Sequence, residues 1–546
     1  MRCPKFEARI RSLFEPHTMV CAEGRGPMRP RSGRRPCATW FELVVCTVVV
    51  MTGVSGWNSL AGATSHGVTM SGTPPEVRGQ ANAWPLPDHD YLNSRDAGAS
   101  SIRASTISRL TPAWSVPMSV GASTSPIVVA GVAYVQDEAG TVYAIDVGSG
   151  QVKWKTKALG FSIGPYGVSI GWGKLFASTP SGVAAFRLSD GLPLWNRHIT
   201  TTPGQGVDMQ TLPYAGKVYV ASVPVTLSKY YSGGSVGYLE ALDAATGKVD
   251  WRFDTVRSKT LWGNPTVNSG GGAWYPPAID TRRGIVYWGV ANPAPFVGTP
   301  QYPNGSSRPG ANLYTDSMVA LSASTGKLLW YHQVFPHDDY DRDEVQAMLA
   351  PVARAVDGSN QVAISSGKGG YVLGLNPFTG KLLWKTAVGI HHDGDLPRLT
   401  GPTTVLPGTF GGVLTPPASA DGVVYVAALN APSTLEPNKT AYFGGKVGSM
   451  DGDVVAMSAR TGKILWNTTV PGDPTGGVTI VNNLVLTATY QGKVLALNRA
   501  TGSVVWSYDE PDVINGWMSI VGDQIYVPIG SPARLVALKL SSNPGG

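Results

Sequence analysis

The sequence predicts an all-β chain closed into an eight-bladed β-propeller. Three observations carry that expectation. A short motif recurs seven times in full, two fragments at opposite ends together make an eighth copy, and the composition, with 67 Gly and 42 Pro, is one of short strands and turns without long helical periodicity.

The motif is clearest at Met318–Trp330, MVALSASTGKLLW. An apolar run ends in Ala-Leu, a turn carries Thr325-Gly326, and a second apolar run closes on Trp330. This reads as a strand, a tight turn and a returning strand, with Gly326 supplying a positive φ at the turn and β-branched and aromatic residues suiting the strands. Further copies end at Trp154, Trp195, Trp251, Trp384, Trp466 and Trp506. Such self-similarity signals units that bury their faces against one another.

The fragments settle closure. Leu535–Leu540 has the first half of the motif, and Leu110–Trp114 has only its tryptophan end. A ring whose last blade takes strands from both termini explains the split and leaves no open end to the array. The tryptophans are expected between blades rather than at a ligand.

Residues 1–63 read as an export leader: a basic stretch, an apolar run from about Phe41 to Gly56, and Ala61-Gly62-Ala63 as a cleavage candidate. The run is short for a spanning helix; an uncleaved membrane anchor is the alternative. Residues 64–108 are expected to wrap the outside of the ring, 109–540 to form the propeller and 541–546 a tail. All four cysteines (Cys3, Cys21, Cys37, Cys46) lie in the leader. The chain beyond it therefore has no disulfide framework, no thiolate metal site and no c-type haem attachment. The leader also holds nine Lys/Arg and four Asp/Glu, which leaves 34 basic against 32 acidic residues in the rest. That near-neutral remainder carries no nucleic-acid footprint.

Tryptophan spacing locates the loops. Trp114, Trp154 and Trp195 follow one another at 40 and 41 residues, but Trp251 to Trp330 is 79 and Trp384 to Trp466 is 82. A four-stranded blade needs about 40 residues. The surplus is expected as functional loops on one face.

The repeat resembles that of the pyrroloquinoline quinone (PQQ) dependent alcohol and methanol dehydrogenases, and the likeness covers roughly residues 84–540. Ser269-Gly270-Gly271-Gly272-Ala273-Trp274 resembles the family's Gly-Gly-Gly segment and the tryptophan on which the quinone stacks. Ala291-Asn292-Pro293-Ala294-Pro295 resembles a segment whose Asn binds calcium, and Arg308–Leu313 lines up with Arg-Pro-Gly-Asp-Asn. Lys368-Gly369-Gly370-Tyr371 matches the place of a cation on the quinone carbonyls, and Gly411-Gly412 with Pro416-Pro417-Ala418 is similar to another cofactor-side loop. The resemblance implies PQQ held by Gly272, Trp274, Asn312 and Lys368, with Ca²⁺ near Asn292.

Such a site has a stated chemistry. A planar tri-acid wants an aromatic face and cations, calcium wants oxygen ligands, and alcohol oxidation wants a carboxylate base. Here the sequence departs from the family. The base position is Ala311, the calcium-binding Glu is missing from Val223–Gly237, and Ser162-Ile163-Gly164 stands where many members have vicinal cysteines. Asp316 and Asp338 are the candidates for a relocated base; the alternative for the cluster around His337 and Asp338 is a hydrogen-bonded loop.

Two functions follow. One is an exported oxidoreductase that takes electrons from a small or polymeric alcohol and passes them to a separate acceptor. The other is a propeller without catalysis that binds an envelope protein partner.

Overall fold

The computed structural model describes residues 72–78, 82–162, 164–202, 204–224, 233–440, 447–448 and 450–541. The expected leader and all four cysteines lie outside them. Among the described residues there are eight four-stranded antiparallel sheets, each a blade. Blade 4 is typical: Ala278–Asp280, Ile285–Val290, Ser317–Ser322 and Leu328–Gln333 follow in chain and sheet order. The innermost strands of the other complete blades are Ile127–Val129 (blade 1), Val168–Gly171 (2), Leu212–Tyr214 (3), Gln346–Val356 (5), Ala418–Ala420 (6) and Thr479–Val481 (7). Innermost strands of neighbouring blades touch around the axis. The two middle strands are almost wholly buried, whereas outer strands such as Val504–Asp509 alternate between exposed and half-buried.

Blade 8 is the split one. Ser519–Val521, Gln524–Gly530 and Ala533–Leu540 are joined by Leu110–Pro117, which pairs Leu110 with Leu540 and Trp114 with Ala537. The ring is therefore closed by hydrogen bonds between its two ends, as the fragments require.

The repeated motif has one physical explanation wherever another complete copy follows in the next blade. Each tryptophan lies opposite a small residue on the neighbouring strand: Ala320 faces Trp330, and Gly374 faces Trp384. The ring then reaches over to the next blade's Thr-Gly turn. Trp251 lies against Gly326 and donates from Nε1 to the Ala323 carbonyl at 3.0 Å. Gly326 has φ +70°, and a Cβ there would come 2.5 Å from the Trp251 ring. The turn glycine thus answers two demands, a left-handed backbone and an aromatic neighbour. Gly326→Ala is expected to cost about 3 kcal/mol, combining left-handed strain with overpacking. Ser324→Ala in the same turn should change stability by less than about 0.5 kcal/mol. Urea unfolding of the two variants checks this, and equal midpoints would overturn it.

One expectation is corrected. Residues 82–97 do not wrap the outside of the ring; they run along the axial ends of the innermost strands. Trp84 pairs with Val128, and the carbonyls of Tyr91, Leu92, Ser94 and Arg95 accept from Ile279, Leu349, Ser419 and Ile480 of blades 4, 5, 6 and 7. The reason is that the free edges of the innermost strands carry backbone groups needing partners, and this segment supplies them. Arg95 is fully buried with all five N–H donors engaged: on Val478 O, Asp88 Oδ1, Ser125 Oγ, Thr479 Oγ1 and Met518 O, at 2.7 to 2.9 Å. It ties blades 7, 8 and 1 together beside the closure.

Candidate active site

Every blade contributes connections to the face opposite the Thr-Gly turns, and the surplus residues between the widely spaced tryptophans fall in them. These loops surround an axial cavity of about 270 Å³. Its floor is aromatic: Tyr275 and Trp517 stack at 5.2 Å and 19°, and Trp274 lies 4.6 Å from Tyr275. The Tyr275 hydroxyl donates to the Leu414 carbonyl. Below Tyr275 a recess of about 10 Å³, lined also by Asp88, Asn93 and Gln346, separates the floor from the axial segment.

The Gly-Gly-Gly segment is explained by close approach. Gly270 (φ +137°) and Gly271 (φ +75°) run against Pro293 and Thr255, so neither position has room for a Cβ. Ser269–Gly270 pairs with Pro293–Ala294, and the Ala291 amide donates to the Gly272 carbonyl at 2.7 Å. This ribbon brings Gly272, Trp274 and Asn292 into one wall.

Lys368 is the central charge. Its Nζ lies 2.9 Å from Asp341 Oδ2, 2.6 Å from Asp343 Oδ2 and 5.6 Å from the Trp274 ring centre. Asp343 Oδ1 accepts from the Asn292 amide at 3.0 Å. Burial pushes the Asp341 carboxyl well up, against the pull of Lys368. Two further carboxylates line the cavity. Asp208 is pushed up to about 7 by burial and then by the neighbouring Asp343. Partly buried Glu138 is also pushed up to about 7, by desolvation with Asp137 adding.

Of the residues named from the sequence, the structure brings Gly272, Trp274, Asn292 and Lys368 together and leaves three others outside the cavity lining. Asn312 is buried and held by Arg308, accepting at Oδ1 (2.7 Å) and donating from Nδ2 to the Arg308 carbonyl (2.9 Å). Asp338 accepts from the Tyr340 and Arg342 amides, both at 2.8 Å, so it orders its own loop. That is the hydrogen-bonded alternative weighed for it. Asp316 is fully buried behind the wall, its amide on the Ala291 carbonyl and neither carboxylate oxygen with a hydrogen-bond partner. Ala311 is exposed and does not line the cavity.

The residues missed were Glu138, Asp208, Asp343, Tyr275 and Trp517. Asp208 and Trp517 each stand just before an innermost strand, the place from which side chains reach the axis. That spacing was a usable signal.

Fold and cavity together define a quinoprotein-like propeller, and comparison with known proteins agrees. Residues 191–398 match the model of the glucose/ethanol/alcohol dehydrogenase β-propeller domain, and residues 85–223 and 410–542 match that of the outer membrane protein assembly factor BamB. The quinohemoprotein alcohol dehydrogenase of Comamonas testosteroni is 26% identical over 408 residues, 65% of this chain and 56% of that one. The polyvinylalcohol dehydrogenase of Sphingopyxis sp. (strain 113P3) is 23% identical over 456 residues, 75% of this chain and 62% of that one. The crystal structure of the Comamonas enzyme superposes with a TM-score of 0.72 at 20% identity, covering 86% and 83% of the two chains. A europium-containing methanol dehydrogenase gives 0.66 at 20%, covering 83% and 90%. In repeat and fold the chain thus resembles the PQQ-dependent quinoprotein alcohol dehydrogenases. It spans about half the length of the curated relatives it matches.

Proposed function

We propose that the axial cavity holds PQQ and that the protein oxidises an alcohol, passing electrons to a separate acceptor. The carrying observation is Lys368. One ammonium lies over the Trp274 face and on two cavity carboxylates, which puts a stacking surface, a cation and proton acceptors within contact of one another.

The residues present fit the group on one condition. A tri-acid needs positive charge, yet the described lining residues include four carboxylates and only Lys368 as a cation. A bound quinone would therefore need a metal cation beside it, and the Asp208 oxygen left without a hydrogen-bond partner would suit one. Trp274 would offer the aromatic face and Lys368 the contact to the quinone carbonyls. When bound, the quinone would accept the carbon-bound hydrogen of the alcohol together with its two electrons, as a hydride equivalent. The proton of the alcohol hydroxyl goes to the Asp341–Asp343 pair, which Lys368 holds in place. These two, rather than Asp316 or Asp338, face the cavity.

The test is a PQQ titration of the protein from residue 64 onward, with and without Ca²⁺, followed by tryptophan fluorescence. Saturable quenching that needs Ca²⁺ and is weakened on the order of tenfold or more by Trp274→Ala is expected. An alcohol panel that includes polymeric substrates, with a dye as acceptor, then reads the reaction. Absence of binding at tens of micromolar would overturn the reading.

A second reading has its own support in the match of both chain ends to the BamB model: a propeller that docks an envelope protein. Capture of a single partner from envelope extract by a protein that binds no quinone would establish it. Both readings place the protein outside the cytoplasm by way of residues 1–63. No helix among the described residues is long and apolar enough to cross a membrane.

A further inference from the structure

We infer that Thr415 gives the cavity a subsite for a second hydroxyl, so that the substrate is a diol or polyol rather than a simple alcohol. This deepens the reading above and rests on it, since the hydroxyl that reacts is the one beside Lys368.

The cavity wall divides by chemistry. Asp208, Asp341, Asp343 and Lys368 lie on the side of blades 3 to 5. The described lining residues on the side of blades 6 to 8, Phe410, Leu414, Thr415, Thr475, Asn515 and Trp517, carry no charge. Within that neutral sector Thr415 is only 4% exposed, yet its hydroxyl has no hydrogen-bond partner. Thr475 differs, because its hydroxyl donates to the Ile514 carbonyl at 2.7 Å. A buried hydroxyl without a partner carries a desolvation penalty that a polar group of a ligand would offset.

The residues on either side fix where Thr415 stands. The Val413 amide donates to the Gly367 carbonyl at 3.0 Å, and the Lys368 carbonyl leaves no room for a Cβ at Gly412. This segment therefore lies directly against the one that carries Lys368. One residue on, the Leu414 carbonyl accepts from the Tyr275 hydroxyl, and the Pro416 carbonyl accepts from the Val478 amide at 3.0 Å. Thr415 is thus held between the Lys368 segment and the aromatic floor of Tyr275 and Trp517. A substrate whose reacting hydroxyl lies at the Asp341–Asp343 pair would rest its carbon chain on that floor and meet Thr415 with a hydroxyl a few bonds further along. A threonine hydroxyl both donates and accepts, which suits another neutral hydroxyl. A site built in this way discriminates against the analogue that lacks the group, because its own buried hydroxyl is then left unpaired.

The test compares trimethylene glycol and glycerol with n-propanol, which has the same carbon chain and a single hydroxyl. On the quinone-free protein, binding is followed by tryptophan fluorescence, since Trp274 and Trp517 line the cavity. The expected result is saturation by at least one of the two at a concentration on the order of tenfold below that of n-propanol. Thr415→Ser should keep that preference and Thr415→Val should abolish it. With quinone bound and a dye as acceptor, the ratio of kcat/KM between the same alcohols should follow the same order, with the change carried by KM. Should Thr415→Val fail to fold, Thr415→Ala carries the comparison. No preference in the parent, or a preference that survives in folded Thr415→Val, would overturn the proposal. Loss of quinone affinity in Thr415→Val would overturn it as well, by assigning the hydroxyl to the quinone. The outcomes separate the two readings. Recognition of the second hydroxyl through Thr415 by a protein that binds no quinone sinks the oxidation alone, and quinone-dependent oxidation indifferent to a second hydroxyl sinks the subsite alone.

Discussion

Arg95→Met is expected to lower the stability of the propeller by roughly 3–5 kcal/mol, the usual loss when one partner of a buried ion pair is removed. Asp88 would be left as a buried charge, because Arg95 Nη1 is its cation at 2.7 Å. Burial already pushes the Asp88 carboxyl up, and Arg95 is what opposes that push. Four more acceptors, from blades 7, 8 and 1, would lose their donor at the same time. Because these are the split sheet and its two neighbours, the loss should appear as early opening at the closure. Hydrogen exchange should quicken first in Leu110–Pro117 and Ala533–Leu540, ahead of blades 3 and 4. Equilibrium unfolding gives the magnitude. A loss below about 1 kcal/mol, within the range of a single ordinary hydrogen bond, would mean that the axial segment is not part of the cooperative unit.

Asp316→Asn should do the reverse, and only at neutral to alkaline pH. Burial, followed by Asp338, Asp343 and Glu344, raises the Asp316 carboxyl well above the ordinary range, with Arg308 opposing. Its folded-state pKa therefore exceeds the unfolded value. Below the unfolded pKa both states are protonated and no penalty arises. As pH rises above the ordinary Asp range the unfolded state releases its proton first, and stability falls until the folded-state pKa is passed. The neutral isostere removes that slope. The variant should equal the parent near pH 4 and exceed it by roughly 1–3 kcal/mol at pH 8. Thermal melts at both values decide it. A destabilised variant at pH 8 would show that the buried carboxylate has a partner that matters, and parallel pH profiles would show that it does not titrate.

The repeat and the closure were legible because each is written in local chemistry. Thr325-Gly326 with Trp330 specifies a hairpin, and the fragments at Leu110 and Leu535 specify which strands must meet. Gly270–Gly272 and Asn292 could be read only because their segments resemble those of a known family; the structure adds that close backbone approach leaves no room for a side chain at Gly270 and Gly271. Asn312, Asp316 and Asp338 were misplaced for a common reason. Each lies near the cavity in sequence, but Arg308, backbone amides and the cavity wall hold them away from it. The path of residues 82–97 was misread as external because a polar, irregular segment looks solvated until the backbone edges it must satisfy are known.

By itself the sequence determined the strand pattern, the number of blades, the split blade and where along the chain the long loops fall. Those follow from a period and from turn residues whose preferences are local. Only the tertiary structure decided which carboxylates share the axis, that Lys368 joins Asp341 and Asp343 beneath Trp274, and that Asp208 faces the cavity without a partner. Such juxtapositions arise from ring closure, which brings together residues hundreds of positions apart that no local pattern relates.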